Sequence, residues 1–475
     1  LVSAQAVQHG ARAKTAVEDA QVAVAERDFT RAGEELALAS RELEAASLKL
    51  SVFRVLQPLP WVGRQVRVTL ELLDDGREAL DVVRTITEIG IDIESDLRAV
   101  GVAEGLTDIG TFKDLSPDAR RELVMALHRA VPDFEQAKAR LDRQRVVLEG
   151  LSDRGLFFGL QLAREELLTQ VRLLDDSLTL LIPVLQVLPD MGGFNGAQHY
   201  IVFMQNTGEL RPTGGFWGTY GVLRIEDGEI VDIVTDDIYA VDGPSEGFVT
   251  TPPPAPLVQY LSADAWYLRD ANWSPDVPTS VRRAFAFYDA QTGVPATEER
   301  PVTAPRVAFD GASLITPEIG VQLIRSLGNV TIRDVEFTPE TCFDALEYEV
   351  EQGFVDRGIL VENRKDIIGE MVAILFERLQ TADTETLGEL VDAGLNLLAE
   401  NDIVLYSQDP DMQRIFEREG WAGDLRLNAQ HDHAMVVDAN LAALKTDTEI
   451  QRAYTYSITK NVDGDLIANL QINYD

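Results

Sequence analysis

The stretch MGGFNGAQHYIVFMQNTGELRPTGGFWGTYGVLRIEDGEIVDIV, Met191–Val234, decides how this chain must be divided. Before it, apolar residues recur at helical spacing; within it they run in short β-rich blocks. Tyr200–Met204 and Phe216–Ile225 are expected strands, and Glu226-Asp227-Gly228-Glu229 a tight turn into a third run, Ile230–Val234. An Asp-Gly pair between two such runs is a hairpin signal, because its residues accept the positive φ that a two-residue turn requires.

Working back from that boundary, residues 1–190 read as helix almost throughout. Leu36, Leu43 and Leu50 fall seven apart, with Ala39 and Ala46 between them, which draws one narrow apolar stripe. Asp28-Phe29-Thr30 is the expected turn of an antiparallel hairpin, and Pro58 and Pro60 end its second helix. A third segment is expected over 62–83. Ser116-Pro117-Asp118 is a helix start: a serine cap, proline in the first turn and an acid beside the positive end of the dipole. Pro132 punctuates the helix it opens. A further helix is expected from Leu160 to Leu181, because Pro183 follows.

Working forward, helices are expected at about 279–290, 317–327, 363–379 and 387–398. The third of these sets Ile367, Met371, Ile374 and Leu375 on one face. Arg452–Thr459 and Leu466–Tyr474 alternate around Val462-Asp463-Gly464, a second hairpin. Interleaved strands and helices imply a layered α/β sheet domain over 191–475, expected to continue beyond the last residue, behind an all-helical arm or stalk over 1–190.

Composition narrows the function. Asp and Glu number 79 against 42 Lys and Arg, a formal net charge of −37; a surface of that sign repels phosphate backbones and anionic lipid headgroups alike, and argues against nucleic acid as a partner. The acidity suits either a solubilising surface or divalent-cation binding by carboxylates. One cysteine, Cys342, excludes an internal disulfide. The chain opens Leu1-Val2-Ser3, so a signal or membrane-anchor segment is expected upstream.

Two loops carry the residues suited to chemistry. Gln205–Phe216 is polar and glycine-bearing and directly follows a strand. There Asn206, Glu209, Arg211, Thr213, Gly214 and Gly215 are candidates to hold an anion, with Arg211 supplying the charge. The alternative is that Glu209 and Arg211 pair with neighbours and the glycines serve a turn. Leu268–Asp276 gathers Arg269, Asp270, Asn272 and Asp276, fit to hold a polar ligand or a cation, or else to cap the next helix. His431-Asp432-His433 could present two imidazoles on one strand face, but a solvated loop is the favoured reading. Asn461-Val462-Asp463-Gly464-Asp465 lacks the bidentate glutamate of a calcium loop and reads as the hairpin turn. No Gly-x-Ser-x-Gly nucleophile motif occurs.

The run Gln205-Asn206-x-x-Glu209-Leu210-Arg211-Pro212-Thr213-Gly214-Gly215-Phe216-x-Gly218 resembles the hallmark of a bacterial family called domain of unknown function 4012. So do Leu268–Asn272, Asp276-Val277-Pro278, Asn363-Arg364-Lys365, Gly420–Gly423, and Val437–Leu441 with Lys445. The resemblance implies an envelope protein outside the membrane, held by an N-terminal helix. It further implies a distant similarity to the LytR–CpsA–Psr phosphotransferases, which attach polyprenyl-linked glycopolymers to the cell wall. By that similarity Arg211 and Arg364 would grip pyrophosphate and Asp236 or Asp237 would hold a magnesium ion. Beside them, Arg269 and Lys365 are further phosphate candidates, and Asp270 and Asp276 further candidates for a magnesium or calcium ion. The sequence departs from that pattern: Pro-Thr-Gly-Gly follows Arg211, where an aspartate is expected nearby, and no arginine precedes Asp236. The expectation is therefore a structural, assembly or ligand-binding protein of the cell surface, open to self-association. The alternative is a magnesium-dependent transferase acting on a polyprenyl-linked glycan. The two are distinguished by whether Arg211, Arg269 and Arg364 converge on one point or are each paired away.

Overall fold

The structure, a computed structural model, describes residues 2–102, 114–298, 300–426, 430, 432–442 and 445–475. The chain forms two compact units, Leu1–Ala197 with Glu226–Glu229, and Gln198–Ile225 with Ile230–Asp475.

The first unit is helical: α1 (Val2–Ala25), α2 (Phe29–Ser51), α3 (Val62–Ala99), α4 (Pro117–Arg129), α5 (Val131–Gly150) and α6 (Phe158–Met191). The hairpin of α1 and α2 closes through small side chains. Ala16 and Ala20 meet Leu36 and Ala39, with Leu80 of α3 completing the cluster. Asp28 caps α2 by accepting from the Arg31 amide at 2.9 Å. A larger core joins α3 to α6, where Val82, Leu97, Leu141, Leu148 and Val171 are fully buried.

Two helices outrun their expected ends. Helix α3 continues 16 residues past Val83, through Thr85, Thr87 and Gly90, residues of modest helix propensity. Ile89, Ile93 and Leu97 extend its buried stripe, so packing overrides propensity. Helix α6 runs through Pro183 and Pro189 to Met191. Pro189 has no N–H for the carbonyl of Leu185, one helical turn earlier. The His128 ring nitrogen Nδ1 supplies a donor instead, at 2.9 Å. Among the described residues no helix is long and apolar enough to cross a membrane.

The second unit is built on a mixed five-stranded sheet of order β3-β2-β1-β4-β7. Its strands are β1 (Gln198–Asn206), β2 (Phe216–Glu226), β3 (Glu229–Asp237), β4 (Gly311–Ile315) and β7 (Ile403–Ser407). Strand β1 lies antiparallel to β2 and parallel to β4, which lies antiparallel to β7. The expected Asp-Gly turn is present, with Asp227 and Gly228 both at positive φ. Between β3 and β4 come α7 (Tyr239–Asp242), α8 (Ala255–Leu261) and α9 (Val277–Thr292). Val281, Ala284 and Tyr288 of α9 join Ile201, Phe203, Trp217 and Leu314 of the sheet in one core.

Between β4 and β7 lie α10 (Glu318–Leu327), the small hairpin β5 (Val330–Ile332) and β6 (Val335–Phe337), α11 (Cys342–Tyr348), α12 (Phe354–Asp356), α13 (Asp366–Gln380) and α14 (Thr384–Ala399). Ile367, Met371 and Leu375 of α13 pack with Phe337 and Cys342, whose thiol burial pushes up to about 11. Helix α15 (Pro410–Glu419) follows β7, and β8 (Arg452–Lys460) and β9 (Leu466–Tyr474) pair over nine positions as a separate ribbon. Four strands, β4 to β7, carry no expectation from the sequence; each is three to five residues long.

The helical core makes a direct prediction. Leu141→Ala removes a side chain with no exposed surface from the α3–α6 core. Its unfolding free energy, followed by far-ultraviolet circular dichroism in urea, is expected to fall by about 2–5 kcal/mol.

Candidate functional site

The loop after β1 is held by its own side chains. Asn206 Oδ1 accepts from the Gly208 amide (2.9 Å), and the Thr213 hydroxyl donates to Gln205 Oε1 (2.8 Å). The Asn272 amide donates to both Thr213 Oγ1 and the Gly215 carbonyl, each at 2.9 Å. The glycine pair has a steric cause. Gly214 sits at φ +114°, and a Cβ on Gly215 would lie 2.7 Å from the Asn206 carbonyl oxygen. Of the alternatives the sequence left open, the turn is the one these contacts describe.

Arg211 points inward from this loop and is 3% exposed. It donates to Glu209 Oε1 (2.9 Å) and to the carbonyl of Asn440, and its guanidinium lies 5.0 Å from the Phe216 ring centroid. Its Nε faces Asp270 Oδ1 at 3.6 Å, an ion pair rather than a hydrogen bond. Arg269 meets the other oxygen of the same carboxylate at 3.6 Å and donates to Asp242 Oδ2 at 3.0 Å, flanked by the rings of Tyr239 and Tyr267. Two of the three arginines thus converge, and what they converge on is Asp270.

Arg364 does not share that acid. It pairs with Glu351 at 3.7 Å, and Glu351 also takes Lys445 at 3.1 Å. Lys365 turns to the sheet, donating to the Gly218 carbonyl at 2.5 Å and pairing with Asp237 Oδ2 at 2.9 Å. Burial pushes its ammonium below the usual lysine range, against the pull of Asp237.

The four candidate metal aspartates are each engaged elsewhere. Asp236 accepts from the Asp237 amide (2.7 Å), and burial raises its carboxyl above the ordinary range. Asp237 holds Lys365 and accepts from the Tyr239 amide (3.0 Å). Asp270 is bracketed by arginines. Asp276 caps α9 through the Thr279 amide (3.0 Å) and accepts from the Leu425 amide (3.1 Å), the capping role weighed above. Among the described residues no three His, Cys, Asp or Glu side chains form a metal-ligand group. His431 lies outside the described residues, and His433 Nε2 contacts the Arg426 carbonyl. Asn461 Oδ1 accepts from the amides of Asp463 and Asp465, as a hairpin turn requires.

Folding nevertheless gathers the separated motifs. Leu210 and Asn440 join by a backbone bond (2.9 Å), and Asp447 Oδ2 accepts from the Leu210 amide (3.0 Å) and from the Asn440 side chain (2.7 Å). Arg452 pairs with Asp438 at 2.8 Å and with Asp447. Asp242, Asp447 and Arg452 lie in this network with no local sequence signal to announce them. Asn272 Oδ1 is buried and, among the described residues, accepts no hydrogen bond.

Asp242 has no exposed surface. It accepts from the Leu268 amide (3.0 Å) and from Arg269, and the Gln291 amide nitrogen, in its favoured orientation, lies 2.9 Å away. Burial outweighs these donors and pushes its carboxyl up to about 7. The folded protein therefore keeps a proton there that an unfolded aspartate releases near pH 4. Stability falls as pH rises across that window and is level above it. Asp242→Asn carries no such proton. The excess stability of wild type over this variant, from urea unfolding, is expected to shrink by up to about 4 kcal/mol between about pH 4 and 8. An excess that grows with pH would mean that Arg269 keeps the group ionised throughout.

No curated protein and no solved structure matches the chain. The region that does match is the one holding the β1 loop, Asp242 and the Leu268–Asn272 segment. Residues 195–350 match the family model described as Protein of unknown function (DUF4012), the family whose hallmark the Gln205–Phe216 run resembles.

Proposed function

We propose that this chain is a non-catalytic structural or ligand-binding protein of the cell envelope, displayed on the outer face of the cytoplasmic membrane. One observation carries the choice against a transferase: the arginines that would grip pyrophosphate are already neutralised. Arg211 and Arg269 share the buried Asp270, Arg211 also holds Glu209, and Arg364 pairs with the partly exposed Glu351. A phosphate group entering there would have to displace buried carboxylates from their partners. Taking one member from a buried pair leaves an uncompensated charge, at a cost of about 3–5 kcal/mol. Such a network suits fixing loops in place better than exchanging ligands. The envelope location rests on the family resemblance, and the net charge of −37 suits a surface that stays soluble in salt or meets divalent cations.

The competing reading is a LytR–CpsA–Psr-like transferase using magnesium and a polyprenyl-linked glycan. Two things favour it: the motif residues do gather at one loop cluster, and Asn272 Oδ1 offers an unmet acceptor. Titration calorimetry with farnesyl diphosphate and magnesium separates the two. No saturable heat is expected, and Arg211→Met is expected to lower the melting temperature of the protein. Magnesium-dependent binding that is lost in Arg364→Ala, a half-buried residue whose removal leaves the core intact, would establish the transferase instead.

A further inference from the structure

In a chain where Asp and Glu make up 79 of 475 residues, Ala45–Leu70 contains neither. The same stretch carries Lys49, Arg54, Arg64 and Arg67. It forms the end of the helical unit where α2 passes into α3, through a short turn of helix over Val52–Leu56 and the rigid Pro58-Leu59-Pro60. Gly63 makes this corner possible: a Cβ there would lie 2.1 Å from the Gln57 carbonyl oxygen.

The link between α5 and α6 docks against the same corner. Gln65 donates to the Gly155 carbonyl (2.7 Å) and accepts from the Phe157 amide (3.0 Å), and Arg64 donates to the Ser152 carbonyl (2.7 Å). Trp61 and Phe157 meet edge to face with centroids 4.9 Å apart. Their outer surfaces stay open, as do those of Val52, Val55, Phe158 and Leu162; Val55 is 78% exposed and Phe158 73%. Lys49, Arg54, Arg67 and Arg154 are exposed and, among the described residues, make no ion pair. Elsewhere in this unit acids sit beside most cations, as for Arg129, Arg140 and Arg172.

We propose that this end of the helical unit docks on the surface of an anionic lipid bilayer. Trp61, Phe157, Phe158 and the neighbouring aliphatic side chains would enter the headgroup layer, while Lys49, Arg54, Arg67 and Arg154 face lipid phosphates. Tryptophan and phenylalanine at an apolar tip with an unpaired basic rim are the composition that interfacial binding requires. The charge argument selects the occupant. The α2–α3 corner carries no carboxylate over Ala45–Leu70, and Asp153 of the docked link is paired with Arg164 at 3.4 Å, so exposed rings and aliphatic side chains ringed by unpaired cations fit lipid phosphates over hydrocarbon; a second copy of this acidic chain is the alternative that the sedimentation arm of the test addresses. The contact is peripheral and separate from any upstream anchor, and it goes beyond the envelope role proposed above.

The test is flotation of the full chain with phosphatidylcholine vesicles, with and without about a third phosphatidylglycerol, read alongside tryptophan emission. Binding is expected only to the anionic vesicles, weakening with salt, with a blue shift that Trp61→Phe diminishes while binding persists. Arg54→Ala and Arg67→Ala are each expected to weaken partitioning about fivefold. Phe158→Ser with Leu162→Ser, two side chains 73% and 54% exposed, is expected to weaken it tenfold or more while the thermal melt stays unchanged. Failure to float with either vesicle overturns the proposal. So does equal binding to neutral vesicles, or a tip-dependent dimer in sedimentation with no lipid binding. None of these outcomes bears on the farnesyl diphosphate titration.

Discussion

The second unit is organised around one carboxylate. Asp270, only 5% exposed, is met by Arg211 from the β1 loop on one oxygen and by Arg269 on the other. Burial would drive such a carboxyl to hold its proton, and the two guanidinium groups work against that. Through Arg211 the pair reaches Glu209 and Asn440, and through Arg269 it reaches Asp242 and the Leu268 amide. Loops far apart in sequence thus share a charge that none of them satisfies alone. Buried ion pairs of this kind add little net stability over an apolar substitute, but they penalise wrong arrangements heavily. Here they tie the β1 loop to the Leu268–Asn272 segment and to Asn440.

That constraint explains why a motif that looks like a binding loop is so well filled. A glycine-rich turn after a strand is a common cradle for anions when its amides and a basic side chain point outward. Here Gly208 and Gly214 spend their amides inside the loop, and the arginine faces in. The same residue types therefore serve a clamp, with Asn272 reaching across to Thr213 and Gly215 from the neighbouring segment.

Much of the architecture was legible in sequence where a repeating pattern ran long. The stripe of Leu36, Ala39 and Leu43, the Ser116 cap, the Asp227-Gly228 turn and the face of Ile367, Met371 and Leu375 all read correctly. Short central strands did not. Strand β4 opens on Gly311, which stands there because a Cβ would lie 2.5 Å from the Tyr406 carbonyl oxygen of β7, a constraint invisible without the partner strand. The candidate site was legible as a set of residues but not as an arrangement. Composition marked Arg211, Arg269 and Asp270, yet nothing near Asp242 or Asp447 in the chain signals that each will be buried against an arginine or an asparagine.

The contact of His128 with the Leu185 carbonyl of α6 also fixes the tautomer of the ring. The Leu185 carbonyl can only accept, so the His128 nitrogen facing it must be the one that carries hydrogen. The lone pair then sits on the far side of the imidazole. Nε2 therefore keeps the acceptor role, so this one contact decides which edge of the ring donates and which accepts beside Pro189.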